Sequence, residues 1–311
     1  MFNLEADNQD AWINNLPPPP LLIPCILKDE LIFSYINRLK ENNDLDEYNL
    51  KFLIRKHYAS LSHPCDKFLF LDCIASLVNQ NLDDFIKDHT MSPESHTFKS
   101  LYENHKINPY SICFIFKRSP KFCPNCCLEE YAKLGISYWH RWHQIRGVYM
   151  CELHDEPLLI GTGLTPFDNQ PHRLLKTHAY QNQNINFGKN HPEITKYLFL
   201  TKEFLRNKHC INFLDLIDKL VEKDLEINGH PLTKHNKKPL SRLIIRNYPK
   251  QWLSDHYPFF NRLNPSKTTI YLDAIIKLRR YDGPLISYLI YFAYLFDVSE
   301  ILDRNYLLHS D

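Results

Sequence analysis

The chain contains only seven glycines among its 311 residues, and it has neither of the glycine-rich motifs that bind nucleotide phosphates. Neither the P-loop pattern nor the dinucleotide-binding pattern is present, so nothing in the sequence supports a nucleotide-binding function of those classes. The longest apolar run, residues 284–296, is shorter than the roughly 20 residues that a membrane-spanning helix needs. The sequence also opens without a basic and apolar leader, which predicts a cytoplasmic protein that does not associate with membranes.

Charge is nearly balanced over the whole chain, at +1, but it is unevenly distributed. Residues 1–50 contain three Lys or Arg and nine Asp or Glu, whereas residues 231–280 contain eleven Lys or Arg and two Asp or Glu. A local basic excess of this size can attract phosphate groups. The candidate nucleic-acid-binding residues are Lys237, Lys238, Arg242, Arg246, Lys250, Arg279 and Arg280. A solvated helix face and a docking surface for an acidic protein remain the alternatives.

Apolar residues recur mostly at helical spacing, which predicts a mainly α protein. Changes in composition along the chain predict four parts. They are an extended acidic and proline-rich arm (1–20), an N-terminal helical domain (21–110), a cysteine-rich module with its connection (111–195) and a C-terminal helical domain (196–311) that includes the basic stretch.

Two short helices are predicted on either side of a polar turn, over residues 66–80 and 82–90. This arrangement is compatible with a helix-turn-helix and equally with an ordinary helical hairpin. The first helix of the domain is predicted to begin after Asp29, which we expect to be its N-cap. Near Gly147 we expect a short strand or hairpin, and residues 160–195 are predicted to be an irregular connection.

The nine cysteines are expected in a reducing compartment, where metal binding or simple burial is more common than a disulfide framework. Two residues separate Cys123 from Cys126, and two residues separate Cys151 from His154. Two such short-spaced pairs can supply the four tetrahedral ligands of one structural zinc ion. A redox dithiol, simple burial of the cysteines, and Cys127 in place of Cys126 are the alternatives.

No catalytic pattern accompanies these residues. His140 and His143 lie between the two ligand pairs but lack the spacing of a metalloprotease motif, and no nucleophile–base pattern is recognisable. The chain is therefore predicted not to be an enzyme. A metal-dependent nuclease stays open as a further alternative, because its acidic ligands can be scattered along a sequence.

The segments FCPNCCLEE and GISYWHRWHQIRGVYMCELHDEPLL resemble the signature of the TniQ/TnsD family of transposon target-selection proteins. That signature has a Cys-Pro-x-Cys pair, an aromatic-rich segment ending in His-Gln-[Leu/Ile]-x-Gly-Val, and a Cys-x-x-His pair. The matching residues here are Cys123, Pro124, Cys126, Tyr138, Trp139, His143, Gln144, Gly147, Val148, Cys151, His154, Pro157 and Leu158. With weaker similarities on both sides, the resemblance extends over residues 21–302.

The resemblance implies a non-catalytic adaptor of bacterial DNA transposition. Such an adaptor binds target DNA, or a DNA-bound CRISPR effector complex, and recruits an AAA+ ATPase regulator of the TnsC kind; a homodimer is compatible with this role. Many members carry a second zinc site, but residues 160–209 contain no cysteine. The only candidate ligands there are His172, His178, His191 and His209, so one zinc ion is expected. A stand-alone zinc-containing helix-turn-helix regulator is the alternative function.

Overall fold

The structure is a computed structural model. It describes residues 20–46, 48–50, 52–54, 70–91, 120–163, 166–183, 191–206, 213–228, 240–256 and 286–301. The protein is mainly helical, as its sequence predicts. Among the described helices, none is both long enough and apolar enough to cross a membrane.

One group of helices precedes a small antiparallel sheet in the chain, a second group lies between the strands of that sheet, and a third group follows it. The helices are α1 (Ile32–Asn42), α2 (Phe70–Leu77), α3 (Leu82–His89), α4 (Pro124–Leu134), α5 (Arg141–Gln144), α6 (Pro171–Thr177), α7 (Pro192–Arg206), α8 (Phe213–Asn228), α9 (Leu240–Asn247), α10 (Lys250–His256), α11 (Ile286–Leu295) and α12 (Val298–Ile301). The sheet has the order β1 (Lys121–Phe122), β2 (Leu159–Gly161) and β3 (Tyr180–Asn182), and Phe122 lies opposite Leu159.

Helices with a clear apolar period lie close to their predicted positions, and shorter elements do not. Before Gly147 the segment contains the one-turn helix α5, and after Gly147 an isolated antiparallel bridge pairs Met150 with Pro157. Residues 160–195 include β3, α6 and most of β2, so this connection is more regular than predicted. Asp29 does not cap α1; Leu31 is the N-cap residue, and Asp29 has a positive φ of 58°. Its carboxylate instead accepts a hydrogen bond from the Trp142 backbone N–H, at 3.2 Å.

The buried apolar side chains form two clusters. The smaller one joins α1, α2 and α3 with Leu50 and Ile54. The larger one joins the cysteine-rich module to the C-terminal helices, and includes Trp139, Tyr197 and Trp252. Its centre is α11, where every residue from Tyr288 to Ala293 is buried and which packs against α7, α8 and α9. A helix that is apolar on all sides is stable in water only when it is surrounded in this way.

A buried ion pair fixes the start of the N-terminal helical region. Glu30 is fully buried, and both its carboxylate oxygens accept hydrogen bonds from Arg38, at 2.8 and 2.6 Å. Arg38 also donates to the backbone carbonyl of Cys25, at 2.7 Å, and the Glu30 carbonyl lies 2.9 Å from His89 Nδ1. The Glu30–Arg38 ion pair and the Glu30 carbonyl therefore connect the segment before α1 with α1 itself and with the end of α3.

The same segment pairs with the cysteine-rich module through its backbone. Glu30 and His140 form an isolated antiparallel bridge. The Leu31 N–H donates to the Trp139 carbonyl and the Arg141 N–H donates to the Asp29 carbonyl, both at 2.8 Å. The N-terminal helices are thus attached to the module at residues 29–31.

Gly147 is needed where the module meets the C-terminal helices. Its φ is +85°, and a Cβ atom built there would lie 2.6 Å from the Tyr197 ring and 2.7 Å from the Trp252 ring. Both aromatic residues also hold the backbone at this point. Tyr197 donates to the Arg146 carbonyl and Trp252 donates to the Gly147 carbonyl, each at 3.0 Å. Only a residue without a side chain fits between these rings.

We predict that Glu30→Gln lowers the free energy of unfolding by about 3 kcal/mol, because it leaves the Arg38 cation buried without a counter-charge. Urea unfolding of the purified protein measures this loss. The control is Glu41→Gln, which removes the same charge from a surface pair in which Glu41 lies 2.9 Å from Arg173. Exposed pairs contribute less than about 1 kcal/mol. Equal losses of unfolding free energy in the two variants would contradict the conclusion that the buried Glu30–Arg38 pair stabilises the fold.

Candidate metal centre

Two structural elements bring the four predicted ligands together. Cys123 is the N-cap residue of α4, and Cys126 lies in the first turn of that helix. Pro124 occupies the first helical turn between them, where its missing N–H needs no partner. Cys151 and His154 lie in a tight turn that is closed by hydrogen bonds from the Cys151 N–H to the Glu156 carbonyl and from the Asp155 N–H to the Cys151 carbonyl.

The ligand atoms converge on one point. His154 Nδ1 lies 3.5, 3.3 and 3.6 Å from the sulfur atoms of Cys123, Cys126 and Cys151, respectively. The sulfur atoms of Cys126 and Cys151 are 3.6 Å apart, and all four ligand atoms lie within 4.8 Å of one another. Tetrahedral zinc with ordinary bond lengths would separate its ligands by about 3.6 to 3.8 Å. The cluster can therefore hold one metal ion.

The burial of the three cysteines and the pKa shifts of their thiols both favour a metal cation between the four ligand atoms. The three cysteines are at most 4% exposed. Hydrogen bonds with the Cys123 and Cys151 sulfurs, together with burial, raise the pKa of Cys126, whereas hydrogen bonds from Cys123 and Cys126 lower the pKa of Cys151. Close contact among the buried sulfurs thus disfavours ionisation of all three thiols at once. A metal ion would allow all three to ionise, because thiolates are the form that binds metal.

The positions of the sulfur atoms also decide whether Cys126 or Cys127 is the better candidate ligand. Cys127 is outside the cluster: its sulfur lies 3.5 Å from the Ser137 hydroxyl, and burial raises the pKa of its thiol to about 11. Cys123 and Cys126 are free thiols that share their site with two further ligand side chains. Cys126 is therefore the better candidate ligand of the neighbouring pair.

Beside the metal cluster lies a second group of polar side chains that the sequence did not reveal. His140 Nε2 contacts Glu130 Oε1, and His140 Nδ1 lies 3.7 Å from Asp29 Oδ2. Burial alone would lower the pKa of His140, but hydrogen bonds and charge from Asp29 and Glu130 raise it to about 9. His140 is therefore a cation held between two carboxylates at neutral pH. Cys126, Glu130 and His140 also form a potential ligand group, which shares Cys126 with the main cluster.

Two polar residues between the ligand pairs, His143 and Gln144, are buried within the module. His143 is buried, its ring centroid lies 4.8 Å from that of His140, and burial lowers its pKa. Gln144 accepts a hydrogen bond from the Lys121 N–H at 2.9 Å and donates to the Lys121 carbonyl at 2.7 Å, which ties α5 to β1.

The histidines considered for a second metal are dispersed within the part of the chain that the structure describes. His172 Nδ1 lies 3.1 Å from the Ser137 hydroxyl, and His191 lies 3.0 Å from Glu193. His178 ends α6 in a left-handed conformation. None of these three belongs to a described ligand group. His209 lies outside the described residues.

Most of the predicted nucleic-acid contacts lie beyond what the structure describes. Arg246 in α9 and Lys250 in α10 are both exposed. Arg242 belongs to α9, but its side chain is not described. The residues outside the described ranges are Lys237, Lys238, Arg279 and Arg280.

The helix pair α2 and α3 has the predicted turn, with Asn79 at a positive φ of 55° and the Asn81 side chain capping α3. The exposed residues of α3 are mostly acidic. They are Asp83, Asp84, Lys87 and Asp88. A helix that lies in a DNA groove usually presents basic or neutral side chains to the phosphates, so the charge on this face is unfavourable for DNA binding.

Comparison with protein-family models finds no match, and no curated protein matches the chain.

We predict that the purified protein contains about one metal ion per chain, the number that four such ligands can close. Cys126→Ser should reduce the metal content to near zero and destabilise the fold by several kcal/mol, because structural metal binding contributes folding free energy directly. The matched control is Cys127→Ser, which changes the adjacent residue and should retain the metal. Elemental analysis and thermal unfolding measure both effects. Retention of metal by Cys126→Ser, with loss by Cys127→Ser, would contradict the ligand assignment.

A second prediction concerns pH. Because the pKa of His140 is raised to about 9 from an ordinary value of 6.5, protonated His140 stabilises the folded state fully below about pH 6.5. This contribution is lost as the pH rises from about 6.5 through 9. Denaturant unfolding across that range should show the wild type losing stability relative to His140→Gln. Parallel pH profiles for the two proteins would mean that His140 is not held as a cation.

Proposed function

We propose that this protein is a non-catalytic target-site selection adaptor of DNA transposition, built around one structural zinc ion on Cys123, Cys126, Cys151 and His154. It binds target DNA or a DNA-bound complex, such as an RNA-guided CRISPR effector, and recruits an AAA+ ATPase regulator. The observation that carries the proposal is the match to the TniQ/TnsD signature together with the positions of the matching residues in the fold.

The matching residues form one packed unit. The four ligands converge, Trp139, Val148 and Leu158 are buried beside them, and Gln144 and Gly147 make the backbone contacts described above. Residues at motif positions that were matched by chance would be scattered over core and surface. The common packing of the ligands with Trp139, Val148 and Leu158 supports the resemblance.

Zinc is the metal best suited to this site. Three thiolates and one imidazole are borderline-soft ligands, and four protein ligands leave no position for a reacting water molecule. A site of this type stabilises the fold and supplies no catalysis. This supports a recognition role over hydrolysis of DNA.

Several exposed side chains support a protein partner. Leu128, Tyr131 and Leu134 on α4 are each about half exposed, and α4 is anchored at its N-terminal end by the two ligands it carries. Exposed apolar residues concentrated on one rigid element are typical of protein–protein contact sites. The acidic exposed face of α3 also favours a protein contact over DNA reading, and so favours the adaptor over a stand-alone helix-turn-helix regulator.

The test is co-purification of the full chain with an AAA+ ATPase regulator encoded by the same mobile element, with and without ATP and DNA. We expect a stable complex, and we expect the double variant Leu128→Glu, Tyr131→Glu to weaken it while the metal is retained. DNA binding without any ATPase complex would favour the stand-alone regulator. Cleavage of DNA in magnesium or manganese would contradict the non-catalytic assignment.

A further inference from the structure

Of the four metal ligands, His154 is the one that solvent can reach. Its side chain is 17% exposed, whereas the three cysteines are at most 4% exposed. His154 also lies in a turn outside the regular elements, while Cys126 is held within α4. A metal ion would therefore be lost most readily on the His154 side, unless another group holds the imidazole in place.

That group is present on α4. His154 Nε2 donates a hydrogen bond to Glu129 Oε1 at 2.9 Å, while His154 Nδ1 faces the three sulfur atoms. The other oxygen of the same carboxylate, Oε2, lies 3.6 Å from Lys133 Nζ. The Glu129 carboxylate thus bridges the imidazole and a lysine one helical turn further along α4.

The placement of Glu129 follows from helix geometry. It lies three residues after Cys126, so both side chains are on the same face of α4. The helix that supplies a sulfur ligand consequently also supplies the carboxylate that orients the nitrogen ligand. The pair crosses from α4 to the Cys151–His154 turn, on the side of the cluster that is open to solvent.

We infer that Glu129 is the positioning residue of the metal centre: its carboxylate holds His154 in the tautomer and orientation in which Nδ1 binds the ion. The inference rests on the proposed zinc site. In a neutral histidine whose one ring nitrogen donates to a carboxylate, the other nitrogen carries no proton and is the more basic ligand. Groups in this position contribute about 10-fold to 100-fold to metal affinity.

The experiment measures zinc affinity of the full chain by competition with a chromophoric chelator. Glu129→Ala should weaken zinc binding by about 10-fold to 100-fold. Alanine is the best helix former, so disruption of α4 cannot explain such a loss. Glu129→Gln keeps an acceptor oxygen for His154 and should recover part of the affinity, a rescue that a simple loss of packing would not produce.

The matched control is Glu152→Gln, because Glu152 lies between two ligands in sequence but its carboxylate accepts hydrogen bonds from Lys202, at 2.7 and 2.8 Å. It removes the same charge near the site and should leave the zinc affinity within about 2-fold, as expected for an exposed ion pair away from the metal. Equal affinities for the wild type and Glu129→Ala would overturn the role of Glu129 alone. No zinc binding by the wild type would overturn both this inference and the proposed metal site.

Discussion

Three cysteine sulfur atoms and one imidazole nitrogen converge on one point in a site that is largely closed to water. Each of the three sulfurs lies within 3.6 Å of His154 Nδ1, and the cysteines are excluded from water. Burying three polarisable acids together is unfavourable unless a cation compensates for the negative charge that accumulates. Structural zinc in peptides contributes on the order of 10 kcal/mol to folding, comparable to the entire net stability of a domain. In the described part of the chain, the three cysteines belong to the larger hydrophobic cluster, which joins the module to the C-terminal helices.

Contacts connect the cluster and its helix α4 with the N-terminal helices on one side and with the C-terminal helices on the other. Towards the N-terminus, Glu130 on α4 contacts His140, and residues 139–141 pair with residues 29–31. Towards the C-terminal helices, the turn at Gly147 is enclosed by the rings of Tyr197 and Trp252. The module thereby contacts both the helices that precede it and the helices that follow it in the chain.

The sequence identifies the four clustered side chains because their pattern is local. Two residues between paired ligands is a spacing that one turn of backbone can satisfy, so Cys123, Cys126, Cys151 and His154 are recognisable without any tertiary information. Long amphipathic helices such as α1 and α7 are recognisable for a similar reason, since their period repeats several times. Element β2 and helix α5 have three and four residues, too few for any period to be apparent.

The supporting residues escape sequence reasoning because their partners are distant in the chain. Asp29 resembles a helix cap in sequence, yet a positive φ turns its carboxylate towards Trp142, 113 residues away. Glu129 and Glu130 resemble ordinary surface acids of a helix, and each acquires its role only when a histidine from another segment is placed against it. Such pairs would be predicted only from a structure or from the covariation of the two positions.

In the proposed adaptor, a metal ion at this site would make α4 rigid. An adaptor must hold two partners in a fixed relation, and the free energy of each contact is reduced by whatever ordering it must impose on the protein. A surface on α4 is already ordered, because the helix is fastened at its N-terminal end by Cys123 and Cys126 and along its length by Glu129 and Glu130. A partner that binds the exposed side chains of α4 therefore does not have to offset the conformational entropy of ordering this helix. A metal ion at this site would contribute to partner binding through preorganisation of α4, at a distance from the partner itself.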